Sequence, residues 1–308
     1  MPSLTDVPNL AVGHATDAHA RTGCTIVLGP FRAAADVRGS ATGTRELGAL
    51  SADHVAGRLD AILLTGGSAF GLAAADGAAR WLEARGRGFD AGVARVPIVA
   101  AAVLFDLAEG DASRRPDEAM GAAACAAADA GPVAEGRVGA GTGATVGKLL
   151  PDTTPSAGGV GSWSVRVGPH VVAALVVANS VGDVRDETGA IVAGARTPGG
   201  AWADVARGLA NAGGSISGSA AGTNTTLAVL ATDAPLERPS LRVLARAASS
   251  GLARRITPYG TPFDGDIVFA VGTAEATAEV DPRALLALCA GAAEVSARAV
   301  IRAVTQPA

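Results

Sequence analysis

The stretch LDAILLTGGSAFGLAAADGAARWLEARG, residues 59–86, opens as an apolar run ending near Leu64. It turns through Gly66 and Gly67 and continues at helical spacing to about Arg85. It reads as a strand, a glycine turn and a helix, the unit from which mixed α/β folds are assembled. Working outward, TGCTIVLG (22–29), VPIVAAAVLFD (96–106) and HVVAALVVANS (170–180) read as buried strands. PDEAMGAAACAAADAG (116–131) reads as a helix with Pro116 at its start and Gly131 at its end. Beyond Thr225 the pattern repeats as the strand TLAVLAT, the helix RPSLRVLARAASSGLARRI, the strand DIVFAVGT and a last helix over 281–304. No internal repeat interrupts this alternation, so a single domain over 1–308 is expected. The segment 211–224, NAGGSISGSAAGTN, offers almost nothing large to pack and is expected to be an exposed, mobile loop.

The totals exclude several classes of function. A hydrophobic fraction of 49% is ample for a buried core, and a net charge of -4 with no basic stripe gives nucleic acid or an anionic membrane nothing to grip. The start MPSLTDVPNLAVGHATD lacks the basic and apolar regions of a signal peptide, and no run approaches the roughly 20 uninterrupted apolar residues that span a bilayer. A cytoplasmic protein acting on a small molecule is expected. Cys24, Cys125 and Cys289 are far apart in apolar surroundings and read as buried free thiols. His14, His19, His54 and His170 form no HxxxH and there is no CxxC, so neither a metal nor another cofactor is expected. The pair His14 and His19 reads as loop chemistry.

Several motifs fail on their own terms. GTGATVGKLL has Thr142 where a phosphate loop needs glycine and Leu149 where it needs Ser or Thr. GAGTGA (139–144) lacks the preceding strand of a dinucleotide fingerprint, and GGSAF has Phe70 at the last glycine of a nucleophile elbow. The turn at Gly66 and Gly67 retains one use. A strand-to-helix turn can aim free N–H groups outward, where they could cradle an oxyanion.

Three features could serve catalysis, each with a structural alternative. Of the 25 basic residues only Lys148 is lysine and the other 24 are arginine. An amine that can lose its proton when desolvated is what arginine cannot supply. Asp264 and Asp266 stand two apart at the mouth of a strand, where an extended backbone turns both carboxylates to one side. They could hold an amine or orient a hydroxyl, or be the solvated charges of an Asp-Gly turn. At AGTNTTLAVLAT (221–232) a flexible stretch becomes a strand at a Thr-Thr pair. Threonines are good strand residues. A threonine exposed as a new N-terminus would also carry its own base, the α-amine. Attack of the Thr225 hydroxyl on the Asn224 carbonyl, followed by hydrolysis of the ester, would produce that state.

Six segments, VGHATDAHARTGCTIVL, LTGGSAFGLAAADG, GRVGAGTGATVGKL, ALVVANSVGD, NTTLAVLATDAP and TPFDGDIVFAV, in this order resemble the P1 (DmpA-type) peptidases, peptidase family S58. That family includes aminopeptidases acting on D- and β-amino acid substrates and the 6-aminohexanoate-oligomer (nylon-oligomer) hydrolase. The resemblance implies a four-layer αββα sandwich of the N-terminal-nucleophile type, a precursor that cuts itself into 1–224 and 225–308, and assembly as a tetramer. By the same matching the nucleophile falls on Thr225, with Thr223 and Thr226 as lesser alternatives. The catalytic lysine falls on Lys148, the catalytic asparagine on Asn179 and the paired aspartates on Asp264 and Asp266. A tyrosine that assists the nylon-oligomer enzyme corresponds to Phe105, which has no hydroxyl. The ornithine acetyltransferases share this fold and a threonine nucleophile, but their lysine-glycine segment ahead of the threonine is missing here. An amide hydrolase is therefore expected, with a small peptide or amide as its partner.

Overall fold

A computed structural model describes residues 1–211, 224–276 and 280–306; the expected loop of 211–224 and Thr223 thus fall almost wholly outside the described residues. The fold is organised by one long strand. β2 (Thr22–Val37) follows β1 (Ala11–Asp17), and its first half pairs with β1 and with β4 (Leu59–Thr65), Cys24 lying opposite Thr65. Its second half pairs instead with β9 (Ile267–Gly272), Val37 lying opposite Ile267. β5 (Val99–Val103) runs parallel to β4 and carries the short edge strand β3 (Thr44–Arg45). On the far side, β6 (Gly159–Val167), β7 (His170–Asn179) and β8 (Thr225–Thr232) complete the order β6-β7-β8-β9-β2-β4-β5-β3. β8 and β9 are parallel, whereas β7 runs antiparallel to β8.

Because β2 belongs to both halves, the halves fold against each other as two sheets. Alternate residues decide the layers. Ile62 and Leu64 of β4 meet Leu175, Val177, Leu227, Val229 and Phe269 from the other half, forming the core between the sheets. The intervening residues Ala61 and Leu63 face α1 (Ala74–Glu83) and α2 (Glu118–Ala126). Beyond the short α3 (Val205–Asn211), Val172, Ala174 and Val176 face α4 (Arg238–Ala253) and α5 (Pro282–Thr305). Helix, sheet, sheet, helix is the αββα order that the resemblance implied. With both faces covered, β4, β8 and β9 are buried throughout, which is why their sequences read as near-continuous apolar runs. Replacing Phe269, fully buried between the sheets, by alanine should cost about 3–5 kcal/mol, read as a lowered urea midpoint.

Small residues set the helix spacing. A Cβ on Gly77 of α1 would collide with the Glu118 carbonyl of α2, and one on Gly121 of α2 with the Ala74 carbonyl of α1. α5 has the length and apolarity of a membrane span, yet it buries Leu288, Val295 and Val300 in the cluster that covers β6 and β7. α2 starts two residues later than its proline suggests, with Asp117 as the cap accepting from the Met120 N–H. Cys24 and Cys125 are buried free thiols and Cys289 is half-buried. His14 lies on β1 and not in a loop, its Nδ1 2.9 Å from Thr25 Oγ1.

Candidate active site

Three neighbouring strands end at one place. β7 finishes at Asn179, β8 begins at Thr225, directly opposite it in register, and β9 begins at Ile267 just after Asp264 and Asp266. Asn224 adds a parallel bridge to Asp264. The topology thus gathers Asn179, Asn224, Thr225, Asp264 and Asp266 from remote parts of the sequence. Asn179, Asn224, Asp264 and Asp266 are completely buried and Thr225 is 3% exposed.

The Thr225 hydroxyl donates to the Asn224 carbonyl at 2.5 Å, and the Gly265 N–H donates to the same oxygen at 2.8 Å. Lys148 reaches the cluster from the loop after Thr145–Val146. Its Nζ donates to Asn179 Oδ1 at 3.0 Å and to the Asn179 carbonyl at 3.1 Å, while its own N–H donates to Val181 O. Asn179 Oδ1 also accepts from the Thr145 N–H, and its Nδ2 donates to the Phe105 carbonyl at 3.2 Å. Phe105 therefore meets the site through its main chain.

Burial governs the charges. Desolvation lowers the Lys148 pKa to about 7, against the pull of Asp264, Glu109, Asp266 and Asp106. The ammonium and the free amine are then both populated near neutral pH. Asp264 accepts from Val181 N–H, Thr261 N–H and Thr261 Oγ1; Asp266 accepts from Thr226 N–H and Gly260 N–H. Burial raises both carboxyls above the usual range, and the charge of Asp264 raises Asp266 further. These are not the solvated charges of an exposed turn.

The turn at Gly66 and Gly67 departs from expectation. Gly66 N–H donates to Gly23 O, Gly67 N–H to Asp106 Oδ1 at 2.7 Å, and Ser68 N–H to Leu104 O. The turn spends its donors inside the protein, so it does not present them to an oxyanion. Asp106, unnoticed in the sequence, organises it and also accepts from Thr22 Oγ1 at 2.7 Å. The other overlooked group is Gly265, hidden between two more conspicuous aspartates. Beside the cluster lies a hollow of about 390 Å³, walled chiefly by Leu149, Val181, Leu209, Pro258, Pro262 and Phe263. No group of three or more His, Cys, Asp or Glu among the described residues is arranged to hold a metal ion.

A family model of peptidase family S58 matches residues 2–308. The chain belongs to this family. Among its relatives, an uncharacterized aminopeptidase of Mycobacterium leprae is 42% identical over 91% of this chain and 82% of its own length. The 6-aminohexanoate-oligomer endohydrolase of a Kocuria species is 33% identical over 88% of this chain and 74% of its own. Among solved structures, a Burkholderia β-aminopeptidase superposes with a TM-score of 0.68 at 26% identity, covering 98% of this chain and 85% of that one. The L-aminopeptidase D-Ala-esterase/amidase of Ochrobactrum anthropi, described as a variant of the N-terminal-nucleophile hydrolase fold, gives a TM-score of 0.73 at 22% identity, with coverage of 98% and 85%. This S58 member is an amide-bond hydrolase of that fold.

Proposed function

We propose that this S58 hydrolase is a self-processing aminopeptidase or amidase in which Thr225, freed by cleavage after Asn224, is the nucleophile. The observation that carries the reading is the buried Asn224–Thr225 junction, its hydroxyl against its own preceding carbonyl, with Asn179 opposite it in register and the lone lysine bonded to that Asn179. Before cleavage the Thr225 nitrogen is a peptide nitrogen and cannot act as a base. Lys148, poised near neutrality, is then the group that takes the hydroxyl proton. After cleavage the new α-amine, with an ordinary pKa near 7.7, joins it. Substrate then follows the same course: an acyl-enzyme forms on Thr225 Oγ1, the amine leaves, and water releases the acid.

The apolar hollow supports substrates with an aliphatic or aromatic segment next to the scissile amide, such as short peptides, amino acid amides or linear aminohexanoate oligomers. Cytoplasmic location and assembly of cleaved protomers into a tetramer belong to the same proposal. Denaturing electrophoresis with intact-mass analysis of the purified protein should give chains of 224 and 84 residues. An active protein that remains at 308 residues would sink the reading. A panel of aminoacyl p-nitroanilides and an aminohexanoate oligomer should show faster turnover as the acyl segment becomes more apolar, and a flat panel would remove the hollow from the account.

A further inference from the structure

The attacked carbonyl has a donor that neither the glycine turn nor the Asn179 side chain provides. Asn224 O accepts from the Gly265 N–H at 2.8 Å and from the Thr225 hydroxyl at 2.5 Å. As Oγ1 attacks, the second bond is lost, because the hydroxyl becomes the nucleophile. The Gly265 bond remains, aimed at the oxygen on which negative charge develops. We propose that the main-chain N–H of Gly265 is the oxyanion donor for cutting the Asn224–Thr225 bond, an inference that rests on the self-processing reading above.

The surroundings suit that task. Asn224 is fully buried, so water does not compete for its carbonyl. Gly265 is held on both sides: Ala41 N–H donates to Asp264 O and Arg38 N–H to Asp266 O, each at 2.9 Å. The flanking side chains are fixed by their own hydrogen bonds to Val181, Thr261, Thr226 and Gly260. The donor is thus in place before any charge appears. Two full carboxylates beside an oxyanion would oppose it, but burial pushes both aspartates toward the neutral acid. The choice of glycine follows from space. A Cβ at 265 would stand 2.8 Å from Thr225 Oγ1 and 2.9 Å from the Ala41 carbonyl, too close for the nucleophile to keep its position.

The step balances without a co-reactant other than water. Oγ1 gives its proton to the amine of Lys148 and bonds to the Asn224 carbonyl carbon. The tetrahedral oxyanion rests on Gly265 N–H, then the C–N bond breaks and the Thr225 nitrogen takes a proton from Lys148. Water hydrolyses the resulting ester, leaving the Asn224 carboxylate and restoring the hydroxyl.

The test removes that N–H and leaves every side chain in place. In a reconstituted translation system, glycolic acid at position 265 replaces one amide by an ester, and conversion of the full-length chain to its two fragments is followed by electrophoresis. The ester chain should convert about 10²-fold or more slowly than wild type. Conversion at the wild-type rate overturns the inference while leaving self-processing intact. A wild-type chain that never converts overturns the self-processing reading and this inference with it. Folding is checked by protease resistance against the Thr225→Ala chain. If the ester chain fails that check, amide exchange in full-length Thr225→Ala decides. There the Gly265 N–H should be protected about 10³-fold or more, and rapid exchange overturns the inference.

Discussion

Replacing Thr225 by alanine should leave a single chain of 308 residues with no measurable amidase activity. Both losses come from one oxygen. Without Oγ1 nothing attacks the Asn224 carbonyl, so the new N-terminus never forms. An intact chain also keeps Asn224 in the place where a substrate acyl group would sit. Loss of a covalent nucleophile costs on the order of 10⁶ in rate where it has been measured, and here the blocked entrance adds to it. The protein should still fold, because Thr225 lies at the first position of β8 and its methyl-sized replacement keeps the strand pairing with β7 and β9. Intact mass, a released-amine assay and the urea midpoint check the three statements together. Thr226→Ala is the control: its hydroxyl is not the one on the Asn224 carbonyl, so the cut should persist.

Replacing Lys148 by methionine should slow both self-cleavage and turnover by about 10²–10⁴-fold, the usual range for a general base. Methionine keeps the length of the stem, so what is lost is the amine at 3.0 Å from Asn179 Oδ1. Lys148→Arg should not rescue the rate, because a guanidinium holds its proton at any working pH. The pH profile supplies a second check. With its pKa lowered to about 7, Lys148 is mostly protonated and idle as a base below that pH, so the rate of self-cleavage should rise with pH and level off above about 7. The methionine variant should lack that limb. Stability carries the same signature. Between about 7 and the ordinary lysine value near 10.4 the unfolded chain binds the proton and the folded one does not, so Lys148 adds stability as pH rises through that window. Against the methionine variant, wild type should gain relative stability between pH 7 and 10.

Much of this architecture is legible in the letters. The runs LDAILLT, HVVAALVVAN and TTLAVLAT are largely apolar because helices and a second sheet cover both of their faces, and such runs declare themselves. β1 and β6 are not legible for a physical reason. AVGHATD and GVGSWSVRV are rich in glycine, serine and polar residues, and at Gly159 and Gly161 even a Cβ would collide with or crowd backbone neighbours of β6, α5 among them. Small residues chosen for close approach look, in a sequence, like loop. The conspicuous side chains of the candidate site are readable from their setting: one lysine in an arginine-rich chain, a Thr-Thr where a glycine-rich stretch abruptly becomes a strand, one Asp-Gly-Asp. Roles played by the main chain are not, because an N–H has no letter. In the letters the turn at Gly66 and Gly67 reads as an oxyanion cradle, but Asp106 occupies it, whereas the glycine with its N–H on the buried carbonyl sits between two more conspicuous aspartates.

The position of β8 and β9 in the middle of the sheet bears on what a cut chain becomes. β8 is bonded to β7 on one side and β9 to β2 on the other, so both outer neighbours belong to 1–224 and both inner strands to 225–308. Severing the bond between Asn224 and Thr225 releases neither piece. To separate them, eight residue pairs along one seam and six along the other must open at once, together with the core between the sheets. For the processed molecule, coming apart and unfolding are the same event. Its reversal is a meeting of two chains that depends on concentration, whereas the precursor folded as one. A protein matured in this way is guarded by the slowness of its unfolding more than by its equilibrium with separated parts, and once heated apart it should be slow to return at high dilution.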